Sequence, residues 1–357
     1  MKNSRILYVA SSIKHINNFH LDYISALRKM GAEIKIMASG SGADFDIPFE
    51  KKIFSQKNLI SSFKIRKILK HESFDALILN TALAAFLVRV ACSRKRPKTV
   101  YIVHGFLFSE KKNGFWAYLF RLAERLLRTR TDSIIVMNSE DMRLAKKYRL
   151  AKRIFLSHGM GCEIRKIITQ KENIRREFFG KDKFVLCFVG ELSKRKNQSF
   201  LIRATAMLKS KIPSILLCLV GSGDEIKNLR ELSRMLGIQE QVIFSGERED
   251  ACDFIRACDL YVSASVCEGL PFNVIEALGA GRTVLISDIK GHRDIIDDEV
   301  DGFLYKSENI GDFVNKTCQI YSKRLVIEEA KARKKYSEFS KESVLPETLS
   351  IIKEALK

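Results

Sequence analysis

Residues 263–288, SASVCEGLPFNVIEALGAGRTVLISD, decide how this chain reads. Ahead of them Leu260-Tyr261-Val262 is a short apolar run giving way to small polar residues, as at the carboxyl end of a buried strand. Pro271 falls where a helix should take its first residue, a position at which its missing N–H costs nothing. Phe272, Ile275, Ala277 and Leu278 recur with helical spacing, and Gly279 and Gly281 stop the helix. Thr283-Val284-Leu285-Ile286 is the next strand. Two acids lie inside this unit, Glu268 in the loop and Glu276 in the helix, with seven residues between them.

The free amides at the start of such a helix attract anions, phosphate above all. An ionised glutamate only accepts hydrogen bonds, so vicinal hydroxyls are its natural partners. Phosphate at the helix end and diols on two flanking acids together describe a nucleotide-sugar. The plainer reading is a loop acid and an exposed helix acid.

EGLPFNVIEALGAGRTVLISD resembles the E-x7-E signature of the retaining family-4 glycosyltransferases of the GT-B fold, in the manner of the bacterial capsule and exopolysaccharide subgroup. The resemblance implies an α/β architecture, two Rossmann-like domains facing across a cleft. Residues 1–168 would bind the acceptor, joined by a C-terminal helix at about 338–357 that crosses back to them, and residues 169–337 would bind the donor. Glu268 would hold the donor sugar's hydroxyls and Glu276 the ribose diol. The turn formed by Gly269, Leu270, Pro271, Phe272 and Asn273 would carry the diphosphate.

Size and charge are compatible with this. A chain of 357 residues with 46% hydrophobic content can fill two ordinary cores. The net charge of +20 is lopsided: residues 1–170 hold 32 Lys+Arg against 13 Asp+Glu, a difference of +19, and residues 171–357 hold 30 against 29. A polyanionic partner of the first half is expected, either nucleic acid or an anionic membrane face. The eight cysteines form no C-x-x-C and several fall in strand-like runs, which suits buried thiols in a reducing cytosol. Ile6–Ala10 is too short for a signal-peptide core, and the weakly polar stretch 76–88 is too short to span a bilayer, which takes roughly 20 residues. A cytoplasmic protein, at most peripheral on the inner membrane face, is expected.

In the first half, 5–10 and 33–38 read as parallel strands around a helix at 19–30 ended by Gly31. Residues 11–18, SSIKHINN, read as the intervening turn; lacking a glycine pair, they are no dinucleotide fingerprint. His15 and His20 could face the acceptor, although hydrogen-bonded structural histidines are the simpler reading. Asp44-Phe45-Asp46 spells a D-x-D metal motif but reads as a solvated turn, so activity without metal is expected. A basic helix at 58–71, a strand at 75–80 and a helix at 81–92 lead to a buried strand, Thr99–Val103, followed at once by His104-Gly105-Phe106. Ligands of open α/β sheets sit beyond strand carboxyl ends, which favours His104. The resemblance implies that His104 faces the donor sugar. Residues 111–130, KKNGFWAYLFRLAERLLRTR, read as a helix mixing aromatics, Trp116 among them, with arginines, suited to a membrane interface or to ordinary core packing. An N-cap at 138–141 precedes a helix to Tyr148.

The second half opens with a strand at 183–189, after a linker helix near 171–179, and then Gly190-Glu191-Leu192-Ser193-Lys194-Arg195-Lys196-Asn197. Cations at a strand end can stabilise a departing diphosphate. The resemblance places Lys196 on it and has Glu191 where relatives carry an arginine, a charge that Arg195 could supply. Gly221, in Gly221-Ser222-Gly223, permits close approach of a ligand. The loop holding Arg248 would, by resemblance, border the nucleotide base. The partners implied are a nucleotide-sugar, with uridine favoured, and a sugar or polyprenyl-diphosphate-linked acceptor. A nucleotide-sugar epimerase of the same architecture is the alternative. Binding of nucleic acid is disfavoured, because the basic residues are scattered over several helices and match no known motif.

Overall fold

The computed structural model describes residues 3–50, 55–93, 96–110, 114–164 and 171–357. The basic pair at 94–95, the expected helix start at 111–113 and the expected domain junction at 168/169 lie outside the described residues. The chain divides into two compact units, Met1–Gly161 with Lys341–Lys357, and Cys162–Ser340.

The first unit is a seven-stranded sheet. Its strands are β1 (Arg5–Val9), β2 (Glu33–Ala38), β3 (Phe45–Asp46), β4 (Ala76–Asn80), β5 (Lys98–Val103), β6 (Ser133–Val136) and β7 (Arg153–Leu156), in the order β3-β2-β1-β4-β5-β6-β7. The second unit contains β8 (Phe184–Val189), β9 (Ile215–Val220), β10 (Val242–Gly246), β11 (Leu260–Ser263), β12 (Val284–Ser287) and β13 (Phe303–Tyr305), in the order β10-β9-β8-β11-β12-β13. All pairings are parallel, for example Leu7 opposite Leu77 and Cys187 opposite Cys218. Strands covered on both faces are apolar throughout rather than alternating, which is why β4, ALILN, and β9, ILLCLV, are wholly buried. The strand order reverses direction between β1 and β4 in the first sheet and between β8 and β11 in the second. Those crevices are where ligands bind in such sheets.

Several local expectations change. Residues 11–18 are not an open turn: Ile13–Phe19 is a helix capped by Ser12, whose hydroxyl accepts from the His15 amide, and a second helix runs Leu21–Lys29. The D-x-D segment is solvated as expected, Asp44 and Asp46 both being exposed, but it is not a turn. It forms the edge strand β3, and Asp44 and Asp46 accept from the backbone amides of Ile36 and Gly40 at 2.8 and 3.0 Å. Pro271 is the N-cap, with extended backbone, rather than the first helical residue; the helix is Phe272–Gly279. The C-terminal region is two helices, Glu329–Phe339 and Lys341–Ala355, divided between the units at Ser340.

One buried ion pair ties the helices of the first unit together. Arg89, fully buried in the helix Ala82–Ala91, grips Glu124 of the helix Phe115–Leu127 with two bonds of 2.7 and 2.9 Å and lies 4.5 Å over the Tyr101 ring. Removing one partner of such a pair strands the other charge. Glu124→Ala should therefore destabilise the protein by about 3–5 kcal/mol. Pairing Arg89→Met with Glu124→Leu should recover most of that loss. Denaturant unfolding of the single and double variants tests both statements.

Candidate active site

In the second unit the loops after β8, β9 and β11 approach so closely that side chains are excluded. Gly221 has φ +133°, and a Cβ there would lie 2.1 Å from the Gly190 carbonyl oxygen. Gly291, at φ +80°, would meet the Gly269 oxygen at 2.6 Å. At Gly221, then, glycine admits the neighbouring loop. The β8 loop is braced by buried Gln198, whose side chain donates to the Glu191 carbonyl at 2.8 Å and accepts from the Ser193 amide at 3.2 Å.

This bracing aims two cations at one carboxylate. Lys196 Nζ lies 2.7 Å from Glu268 Oε1, and Arg195 donates to Oε2 at 2.7 Å and to the Cys267 carbonyl at 3.2 Å. Lys196 and Glu268 are buried, whereas Arg195 is half-exposed. Burial opposes ionisation of Glu268, but Lys196 and Arg195 outweigh it and hold the carboxyl below its usual range. The Val266 amide donates to the Arg195 carbonyl at 3.0 Å, so the β8 and β11 loops are also joined through backbone.

The helix that follows is anchored to the same strand. Asn273 donates from Nδ2 to the Val189 carbonyl at 2.7 Å, which fixes the helix start beside the end of β8. Leu270 and Pro271 are buried, Phe272 is partly so, and Glu276 is half-buried on the helix. Arg248 is held within its own loop: it makes two bonds of 2.8 and 2.7 Å to Asp250 and lies over the rings of Phe178 and Phe254. Lys196, Arg195 and Glu268 thus meet directly, while Arg248 is engaged elsewhere. Sequence reading missed Gln198 and His292. His292 is buried, with Nδ1 donating to the Ser287 carbonyl at 2.7 Å, and burial depresses it to about 4 although Glu268 pulls the other way. A polar residue opening a helix was the one available signal for Gln198; nothing local marked His292.

In the first unit, at the carboxyl edge of β1 and β5, three histidines converge. His20 bonds to the Tyr8 hydroxyl at 2.9 Å through Nδ1 and to His15 at 3.2 Å through Nε2. The His104 ring stands edge-on to both at 4.9 and 5.3 Å, and its Nε2 is buried without a hydrogen-bond partner among the described residues. Ring nitrogens of the three lie within 4.8 Å of one another, the one set among the described residues close enough to share an ion. Burial depresses His15 to about 4, His104 to about 3 and His20 well below its ordinary value, so all three are neutral at pH 7. Because their folded values lie below the ordinary 6.5, the cluster stabilises the fold above that pH, and the contribution is lost as pH falls towards 4. Melting temperatures between pH 7 and pH 4 should fall less steeply in His104→Gln than in the parent protein.

Two cations and a carboxylate thus meet at the strand ends of a doubly wound α/β unit, and similar proteins specify the class. Residues 169–343 match the family model described as "Glycosyl transferases group 1", and residues 16–158 match "Glycosyltransferase Family 4". EpsD of Bacillus subtilis, which bears a glycosyltransferase name, is 31% identical over 89% of this chain and 88% of its own. The Escherichia coli UDP-Gal:alpha-D-GlcNAc-diphosphoundecaprenol alpha-1,3-galactosyltransferase is 24% identical over 74% of this chain and 70% of its own. The crystal structure of Anabaena HepE in complex with UDP-glucose superposes with a TM-score of 0.74 at 19% identity, covering 98% of this chain and 100% of that one, which shows the fold. Two-sheet transferases of the GT-B fold are thereby the class. The chain belongs to the family-4 glycosyltransferases and is an enzyme that transfers sugar.

Proposed function

We propose that the protein moves a sugar from a UDP-sugar to a lipid-linked sugar acceptor in the synthesis of a surface polysaccharide, with retention of anomeric configuration. The observation that carries this is the meeting of Lys196 and Arg195 on Glu268 just before the Phe272–Gly279 helix. Two cations beside a helix start match a diphosphate, and the carboxylate between them matches sugar hydroxyls. Lys196 and Arg195 neutralise the charge that develops as the bond from the anomeric carbon to the diphosphate oxygen breaks. The acceptor hydroxyl forms the new bond to that carbon, and its proton passes to the departing phosphate. Glu268 orients the donor sugar and Glu276 the ribose diol. The turn from Gly269 through Asn273 lies along the diphosphate, with Gly221 beside it and Arg248 towards the base. His104, neutral and with no partner for Nε2 among the described residues, is available to a sugar hydroxyl.

No metal is required in this reading, because protein cations meet the phosphate charge and the hydrogen bonds of His15 and His20 already account for that cluster. The relative named for a diphosphoundecaprenol substrate supports the acceptor class, and the UDP-glucose complex of the Anabaena structure supports uridine. No helix among the described residues is long and apolar enough to cross a membrane. The strongly basic first half supports peripheral attachment to an anionic membrane face on the cytoplasmic side.

Thermal-shift screening should give stabilisation by UDP-sugars above GDP- and ADP-sugars. Lys196→Ala and Glu276→Ala should each cut turnover by about 10²–10³, the loss usual for a group that stabilises developing charge or positions the donor. EDTA should leave the rate unchanged. Parental activity in either variant, or conversion of donor to an isomer when no acceptor is present, would remove the assignment.

A further inference from the structure

The first unit holds a cavity of about 640 Å³, well inside the range of roughly 300–1,000 Å³ typical of small-molecule sites. It lies between the helices Ala82–Ala91 and Phe115–Leu127, over Tyr101 of β5. Its walls are aromatic and aliphatic: Leu83, Phe86, Phe106, Phe108, Leu119 and Phe120. Phe106 and Phe108 stack at 4.8 Å and are buried, so the cavity reaches into the core.

Several of the polar groups along it are already engaged, Glu50 lying 3.8 Å from Lys57. Glu124 is gripped by Arg89, Ser11 bonds the Thr81 hydroxyl at 2.6 Å, and Ser12 caps its own helix. The two ends differ. Ser11, Ser12, Ser39 and Gly105 lie just past the carboxyl ends of β1, β2 and β5, the edge at which such sheets bind ligands. Trp116, more than half exposed, and Leu107 line the wall that reaches the surface. Phe115 and Tyr118 are exposed on the same helix, with exposed Arg125 and Arg128 further along it. Aromatics and arginines side by side are the surface chemistry of a membrane interface.

We infer that this cavity receives isoprenoid units of the acceptor's lipid carrier, with the carrier's phosphates left towards the serine-lined strand ends. The inference rests on the lipid-linked acceptor proposed above. A chain bearing methyl branches and double bonds fits an irregular aromatic-walled cavity.

The single tryptophan makes the cavity directly readable, because Trp116 lines it and the chain has no other. Titration of the full chain with farnesyl diphosphate, without vesicles or detergent, should give a saturable blue shift of Trp116 emission. Inorganic diphosphate should give none, and dodecyl phosphate should bind at least about tenfold more weakly. Ala123→Phe, which fills the cavity, should weaken farnesyl diphosphate about tenfold or more, whereas Phe115→Ser, on the exposed face, should not. Absence of a saturable response in the parent protein would overturn the inference, as would equal binding of dodecyl phosphate or an unaffected Ala123→Phe variant that melts normally. Thermal stabilisation by UDP, recorded on the same samples, separates the outcomes. If it persists without isoprenoid binding, the cavity assignment fails and the donor site stands.

Discussion

A buried carboxylate held between two cations organises the second unit. An isolated charge at Glu268 would be too costly to bury, so the loops that carry Lys196 and Arg195 must come to it. That requirement explains the crowding of backbone around the site. Gly221 lets the β9 loop close on the β8 loop, Gly291 lets the turn after β12 close on Gly269, and Gln198 sets the path of the segment from Glu191 to Ser193. The ions are thus arranged by the fold itself, and charges fixed in this way need no rearrangement to act on a ligand.

The first unit is organised by neutrality. Its histidine cluster is desolvated and uncharged, and its apolar cavity hides one strong ion pair in a wall. Nearly all of the protein's net positive charge, +19 of +20, nonetheless belongs to residues 1–170. A dry interior under a basic surface is suited to an amphiphile with an anionic head.

Much of this was legible in the sequence because parallel strands covered on both faces spell continuous apolar runs. The segments 99–103, 184–189 and 260–262 could be read directly, and the E-x7-E spacing marked the family. What escaped notice were local choices decided by partners distant in sequence. Residues 11–18 carry turn-like Ser and Asn, yet Ser12 serves as a cap and the segment is a helix. Asp44 and Asp46 are solvated, yet backbone amides of β2 and of the turn after it hold them at a sheet edge rather than in a turn. His15, His20 and His104 become neighbours only because β4 alone separates β1 from β5, and no spacing rule encodes that. The cavity is likewise a property of two helices and a strand together, visible beforehand only as an unusual helix around Trp116.

The helix Lys341–Ala355 belongs to the first unit. Arg153 donates to the carbonyls of Glu354 and Ala355, the Ser133 hydroxyl donates to the Ala355 carbonyl, and the Ser157 hydroxyl meets Thr348 at 2.6 Å. During synthesis the sheet begun first must therefore wait, its β6–β7 flank uncovered, until the whole of the intervening unit has left the ribosome. The order of translation and the order of completion are reversed: the later-made unit can finish first, and the first unit closes only when the returning segment arrives.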